Sequence, residues 1–80
     1  MPNVRYWAGA RAATGMAEEE IVGATVTEVL DEVLRRHPQA AAVIARCSFL
    51  VDEVAVHDRD AAVGTSSVIE VLPPFAGGAR

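Results

Sequence analysis

The run Val68-Ile69-Glu70-Val71-Leu72 passes directly into Pro73 and Pro74, and this junction constrains the fold more than any other stretch. Four of the five residues before the prolines are apolar and mostly β-branched, which predicts a strand buried on at least one face. Proline has no N–H to give to a ladder, so pairing stops at Pro73. The fixed φ of the Pro-Pro step projects the rest of the chain outward in extended form. That remainder is Phe75-Ala76-Gly77-Gly78-Ala79-Arg80. Gly77 and Gly78 carry no Cβ, so this segment is thin enough for a narrow channel.

Eighty residues make one small domain. Apolar residues account for 51% of the chain, enough for a real core and too many for a disordered segment. No apolar run reaches the length of a membrane span, and no signal-peptide pattern is visible, so the expected location is the cytoplasm. The net charge is −4 and the isoelectric point about 4.9, which argues against nucleic acid as a partner. The single cysteine, Cys47, has no partner for an internal disulfide and no metal-site spacing. All seven basic side chains are arginine and none is lysine, so no side chain here can accept an isopeptide bond.

In chain order, Asn3 to Ala8 reads as a first strand, with Val4, Tyr6 and Ala8 alternating against Arg5 and Trp7. Trp7 is a core residue unless Val4 and Tyr6 point inward, in which case it faces out and marks an interface. Residues 9–15 form a loop or short helix closed by Gly15. Met16 to Val22 reads as a second strand, with Glu18-Glu19-Glu20 as a solvated face blunting a sheet edge. Thr25 opens a helix with capping-box spacing to Glu28. Val26, Val29, Leu30, Val33 and Leu34 make its apolar stripe, and Pro38 stops it. Pro38 to Ala45 is a second short helix, Cys47 to Val51 a strand, Asp52-Glu53 a turn and Val54 to Val56 a returning strand. His57-Asp58-Arg59-Asp60 reads as a solvated turn, Ala61 to Val63 as one helical turn, and residues 64–67 as a loop before the last strand. The sum is an α+β domain, a mixed sheet of four to five strands packed on one main helix.

Val4-Arg5-Tyr6-Trp7-Ala8, Gly15, Thr25-Val26 and Val71-Leu72-Pro73-Pro74-Phe75-Ala76-Gly77-Gly78 together resemble the MoaD/ThiS family of ubiquitin-like sulfur carriers. The length and the Pro-Pro step are more like its MoaD branch than the shorter thiazole-pathway carriers. The resemblance implies a ubiquitin-like β-grasp fold in residues 1–74 with a flexible tail in residues 75–80. It implies parallel first and last strands, with Arg5 and Glu70 sharing an outer face with Trp7 and Leu72. It further implies that Gly77 and Gly78 form the terminus that is adenylated and thiocarboxylated. Trp7, Arg11, Leu72, Pro73, Pro74 and Phe75 would bind partners. Those partners would be an E1-like adenylating enzyme that uses ATP and a MoaE-type large subunit of molybdopterin synthase. The carrier itself would bind no cofactor or metal and would not be an enzyme.

The sequence departs from the family pattern in three places. Asp52 stands where Asn is common, Ser66-Ser67 where Gly-Asp is common, and Ala79-Arg80 come after Gly78. The first two are turn positions that Asp and Ser can fill. The third leaves the Gly78 carboxyl as an amide, which cannot be adenylated. Either a processing metalloprotease removes the extension, as for some members of the wider family, or the Gly-Gly pair is unused; trimming is the preferred reading. A carrier for another pathway (thiamine thiazole, cysteine or a secondary metabolite) and a ubiquitin-like protein modifier or interaction module are the alternatives.

Overall fold

A computed structural model of the chain describes residues 1–74. Five strands form a single mixed sheet in the order β2-β1-β5-β3-β4. They are β1 (Asn3–Tyr6), β2 (Glu18–Glu20), β3 (Ser48–Val51), β4 (Val54–Val56) and β5 (Val68–Leu72). The helices are α1 (Ala8–Thr14), α2 (Val26–Arg36) and α3 (Ala41–Ile44), the last entered through a 3-10 turn at Pro38–Ala40.

The central pair, β1 and β5, is parallel, and the other pairs are antiparallel. Strand alternation sets its two faces. Val4, Tyr6, Ile69 and Val71 are fully buried, and with Phe49 they form the inner face of the sheet. Helix α2 covers this face with Val26, Val29, Leu30 and Val33, the stripe expected from the 3.6-residue period. Arg5 and Glu70 are register partners on the outer face, as the parallel arrangement requires.

Local chemistry explains the ends of α2. The Glu28 N–H donates to Thr25 Oγ1 (3.1 Å), and Glu28 Oε1 accepts from the Ala24 N–H (2.8 Å). The reciprocal cap therefore reaches one residue further back than the standard box. Arg35 and Arg36 lie in the last turn, where cations oppose the helix dipole. Both donate to Glu32 and hold its carboxyl down at about 2.

Several boundaries differ from the sequence reading. Strand β1 stops at Tyr6, because Trp7 caps α1 and Ala8 turns left-handed at φ 47°. The short-helix alternative for the next segment holds: it runs from Ala8 to Thr14, and Gly15 closes it at φ 75° with its N–H on the Arg11 carbonyl. Strand β2 keeps only its three glutamates. Ala61 to Val63 are not helical: Ala62 bridges Thr25, the Val26 N–H donates to the Ala61 carbonyl and the Val63 N–H to the Ala24 carbonyl. The segment leading into α2 has backbone groups to satisfy, and this pairing satisfies them.

Two positions carry testable strain. Asp52 and Glu53 form the two-residue loop between β3 and β4, with φ of 51° and 70°, as a type I′ hairpin demands. Asp52 is further tied to β5, since its Oδ1 accepts from the Val68 N–H (2.9 Å) and its own N–H donates to the Val68 carbonyl (2.9 Å). Glu53 has no such ties among the described bonds. Glu53→Gly should therefore stabilise the domain by about 0.5–1 kcal/mol, read as a raised urea midpoint; a lowered midpoint would contradict the turn assignment. At Gly23 a Cβ would lie 2.7 Å from Val29 Cγ2 and 2.9 Å from Val29 N. Gly23→Ala should cost about 1–3 kcal/mol by overpacking, and an unchanged midpoint would show that no such close approach exists.

Candidate functional site

The outward surface at the end of β1 and β5 begins with Trp7. Tyr6 points into the core, so its neighbour must point away, and Trp7 is 40% exposed although it is a large aromatic. Its N–H donates to the Val71 carbonyl (3.2 Å), which carries the parallel pairing one residue past the ladder. Helix α1 starts immediately and presents Arg11 one turn later. Trp7 and Arg11 line one open depression of about 200 Å³ with Arg5, Tyr6, Ala17 and Glu18. Two arginines and a tryptophan thus share one depression, and Glu18 pairs with Arg5 (3.6 Å). An aromatic body beside arginines is the composition that interface centres favour.

Leu72 ends β5, half-buried and opposite Ser48. Pro73 is half-buried and Pro74 exposed. The structure thus gathers Trp7, Arg11, Leu72, Pro73 and Pro74 at one end of the central strand pair. Phe75, Gly77 and Gly78 lie outside the described residues.

A polar cluster that the sequence reading misses surrounds the Tyr6 hydroxyl. A solvated face is the expectation for the three glutamates of β2, and for Glu19 this is wrong. Alternation turns Glu19 inward, where its side chain is 8% exposed. Tyr6 Oη donates to Glu19 Oε2 (2.6 Å), His37 Nε2 lies 2.6 Å from the same oxygen, and Arg36 Nη1 donates to Oε1 (3.2 Å). The Tyr6 and His37 rings meet edge to face at 6.2 Å. One signal was available: a fully buried tyrosine needs a partner for its hydroxyl, and Glu19 is the register partner of Val4, two residues before Tyr6.

The electrostatics derive from this geometry. Burial alone raises the Glu19 carboxyl, but the hydrogen bonds from Tyr6 and His37, with Arg36, outweigh it and hold the carboxyl below the ordinary carboxylate range. Burial, then the Glu19 hydrogen bond and charge, push the Tyr6 phenol far up. Cys47 is buried, donates to the Val43 carbonyl, and has its thiol pushed up by burial; such a thiol is a poor nucleophile. Among the described residues no group of three His, Cys, Asp or Glu is placed to hold a metal ion. No helix among them is long and apolar enough to cross a membrane.

A sequence model of the ThiS family matches residues 4–78, from β1 through Gly78. The chain belongs to the ThiS family. No curated protein matches its sequence. Among solved structures, small archaeal modifier protein 1 of Methanosarcina acetivorans is similar at TM-score 0.85 and 22% identity, over 96% of this chain and 95% of that one. At that identity the likeness shows the fold. A Pyrococcus furiosus protein assigned as molybdopterin converting factor, subunit 1, gives 0.82 and 27%, over 91% and 95%. A chain of the BexX/CysO complex of Amycolatopsis orientalis gives 0.81 and 25%, over 91% and 94%. The domain is therefore a ubiquitin-like β-grasp of the ThiS sulfur-carrier type, and such carriers are generally not catalysts themselves.

The cluster makes a pH-dependent prediction. A carboxyl with a lowered native value contributes its full stability above the unfolded value of about 4.3 and loses it as the pH falls toward the lower native value. Wild-type protein should therefore lead Glu19→Gln in thermal stability at neutral pH, and the lead should shrink on acidification below about pH 4.3. Parallel melting curves at neutral and acid pH would refute this by showing a constant gap.

Proposed function

We propose that this protein is a sulfur carrier in molybdopterin biosynthesis, acting through a C-terminal Gly77-Gly78 exposed by removal of Ala79-Arg80. The observation that carries the reading is the extent of the family match, which runs through the Gly-Gly pair and stops at Gly78. Residues 1–74 serve as the recognised body and residues 75–80 as the tail that is processed and modified.

The chemistry proceeds in four steps. A protease, for which a metalloprotease is the expected class, hydrolyses the Gly78–Ala79 bond and frees the Gly78 carboxylate. An E1-like enzyme binds the surface around Trp7, Arg11, Leu72, Pro73, Pro74 and Phe75. The carboxylate then attacks the α-phosphate of ATP, releasing pyrophosphate and forming an acyl-adenylate. Sulfide displaces AMP to give the thiocarboxylate directly; a persulfide gives an acyl disulfide, which a thiol then cleaves. The carrier next docks on a MoaE-type large subunit, where the sulfur passes to a pterin precursor. Throughout, this chain supplies the reacting terminus and the docking surface, and its partners supply the catalysis.

The likeness to the Pyrococcus furiosus subunit favours molybdopterin as the destination. The comparable likeness to a chain of the BexX/CysO complex favours a second reading, a carrier that serves another sulfur-transfer pathway through a different partner. A protein-modifier role is limited on one side: with no lysine in the sequence, this chain cannot be linked into Lys-joined chains of itself.

Intact-mass spectrometry tests the core of the reading. The full-length chain and a chain ending at Gly78 are each incubated with the organism's own E1-like enzyme, ATP and a sulfur donor. The Gly78-ended chain should exchange one oxygen for one sulfur, and the full-length chain should remain unchanged. If the Gly78-ended chain does not react with an active enzyme, the sulfur-carrier reading fails. Adding the molybdopterin synthase large subunit and the pterin precursor then separates the two pathways by whether the thiocarboxylate is consumed.

A further inference from the structure

The charges in the depression beside Trp7 do not balance. Glu18 is already answered there: it pairs with Arg5 at 3.6 Å, and its Oε1 accepts from Asn3 Nδ2 at 2.8 Å. Arg11 makes no ion pair among the described residues. Two arginines and one glutamate thus leave one surplus positive charge in the depression, on a chain whose net charge is −4. An exposed arginine by itself says little, because water satisfies it. An arginine that shares a concave surface with an exposed indole is different. Whatever covers Trp7 also strips water from Arg11, and the buried charge is then costly unless a counter-charge arrives with the cover.

Size and charge select the occupant. Small-molecule sites hold roughly 300–1,000 Å³. This depression is open and holds about 200 Å³, so it takes a side chain rather than a nucleotide. One surplus charge matches one carboxylate. A phosphorylated side chain brings roughly 1.5–2 negative charges and would leave part of them unanswered beside Glu18. The planar guanidinium fork also fits a carboxylate better than any other single side chain. Helix α1 leaves the approach clear, since apart from Arg11 it carries nothing larger than threonine.

We propose that Trp7 and Arg11 receive an aspartate or glutamate side chain of the E1-like adenylating enzyme, carried next to an apolar residue that covers the indole. The inference rests on the sulfur-carrier reading above and names what that partner presents at this surface. Arg5 is not the recognition residue, because Glu18 already answers its charge. Glu18 acts against the incoming carboxylate and limits the site to one.

The test is the Kd for the organism's own E1-like enzyme without ATP, measured by calorimetry on the full-length chain and on the chain ending at Gly78. Arg11→Ala should bind at least about tenfold more weakly than wild type at low salt. The gap should narrow at about 0.5 M salt, where exposed charges are screened. Arg35→Ala removes the same charge from α2, where Arg35 pairs with Glu32, and should stay within about twofold of wild type. Glu18→Gln should bind more tightly, because it removes the like charge beside the incoming carboxylate. A wild-type Kd for Arg11→Ala overturns the proposal, and so does an equal loss in Arg35→Ala. A weakened Glu18→Gln overturns it in favour of a basic partner group. Failure of both wild-type forms to bind overturns it as well. The carrier reading stands or falls separately. If the Gly78-ended chain is never thiocarboxylated by an active enzyme while Arg11→Ala still loses binding, that reading has failed and the surface assignment has not. If Arg11→Ala binds normally and thiocarboxylate forms, the reverse holds.

Discussion

The parallel pairing of β1 with β5 is the contact on which the rest of this domain depends. It joins Asn3–Tyr6 to Val68–Leu72, so nearly the whole chain is the loop that it closes. The entropy of closing such a loop grows only logarithmically with length, but it must be offset at the contact. Val4, Tyr6, Ile69 and Val71 offset it by complete burial, at roughly 1.5–3 kcal/mol for each large apolar side chain. Parallel strands require a crossover, and α2 supplies it while capping the same inner face. Strand β2 then hangs on one side of the pair, and β3 with β4 on the other.

The same pairing decides where the tail departs. A C-terminal strand at a sheet edge could fray, and its last residue would wander. Here the last strand is flanked on both sides, by β1 and β3, and its ladder is extended by the Trp7 N–H. The Pro73-Pro74 step therefore starts from one of the most firmly held points in the molecule. The proposed docking surface and the Pro73-Pro74 step are therefore built on the same two strands.

How much of this is legible in the sequence depends on the reach of each interaction. Strand β5, its proline stop and the apolar stripe of α2 are local patterns, and all are readable. So is the outward direction of Trp7 once Val4 and Tyr6 are assigned inward. The boundary at Tyr6 is not readable, because nothing in Trp7-Ala8-Gly9 announces that a strand gives way at once to a helix through a left-handed alanine. Ala61 to Val63 fails for a different reason. Two alanines and a valine are too short a pattern to decide between helix and strand, and their conformation is set by backbone groups near Thr25, more than thirty residues earlier in the chain. Glu19 fails because a run of three charges reads as solvated, whereas the sheet alternates and must turn the middle one inward.

The inward turn of Glu19 also explains how a three-residue edge strand holds its place. Strand β2 contributes no apolar side chain to the core; Ile21, just past it, does. Glu19 ties it to the body instead, accepting from Tyr6 on β1 and meeting Arg36 and His37 at the end of α2. A one-residue slip would only bring another glutamate, Glu18 or Glu20, to Tyr6, so the register falls to Ile21, whose complete burial just past the strand such a slip would end. An apolar residue at position 19 could fill the space but could not accept from Tyr6, and a buried unmet hydroxyl costs about 1–3 kcal/mol. Tyr6 directly precedes Trp7, so the cluster that ties down the edge strand also anchors the residue next to the proposed docking surface. In this small domain the core supplies most of the cohesion, one buried carboxylate ties down the outermost strand, and the burial of Ile21 sets that strand's register.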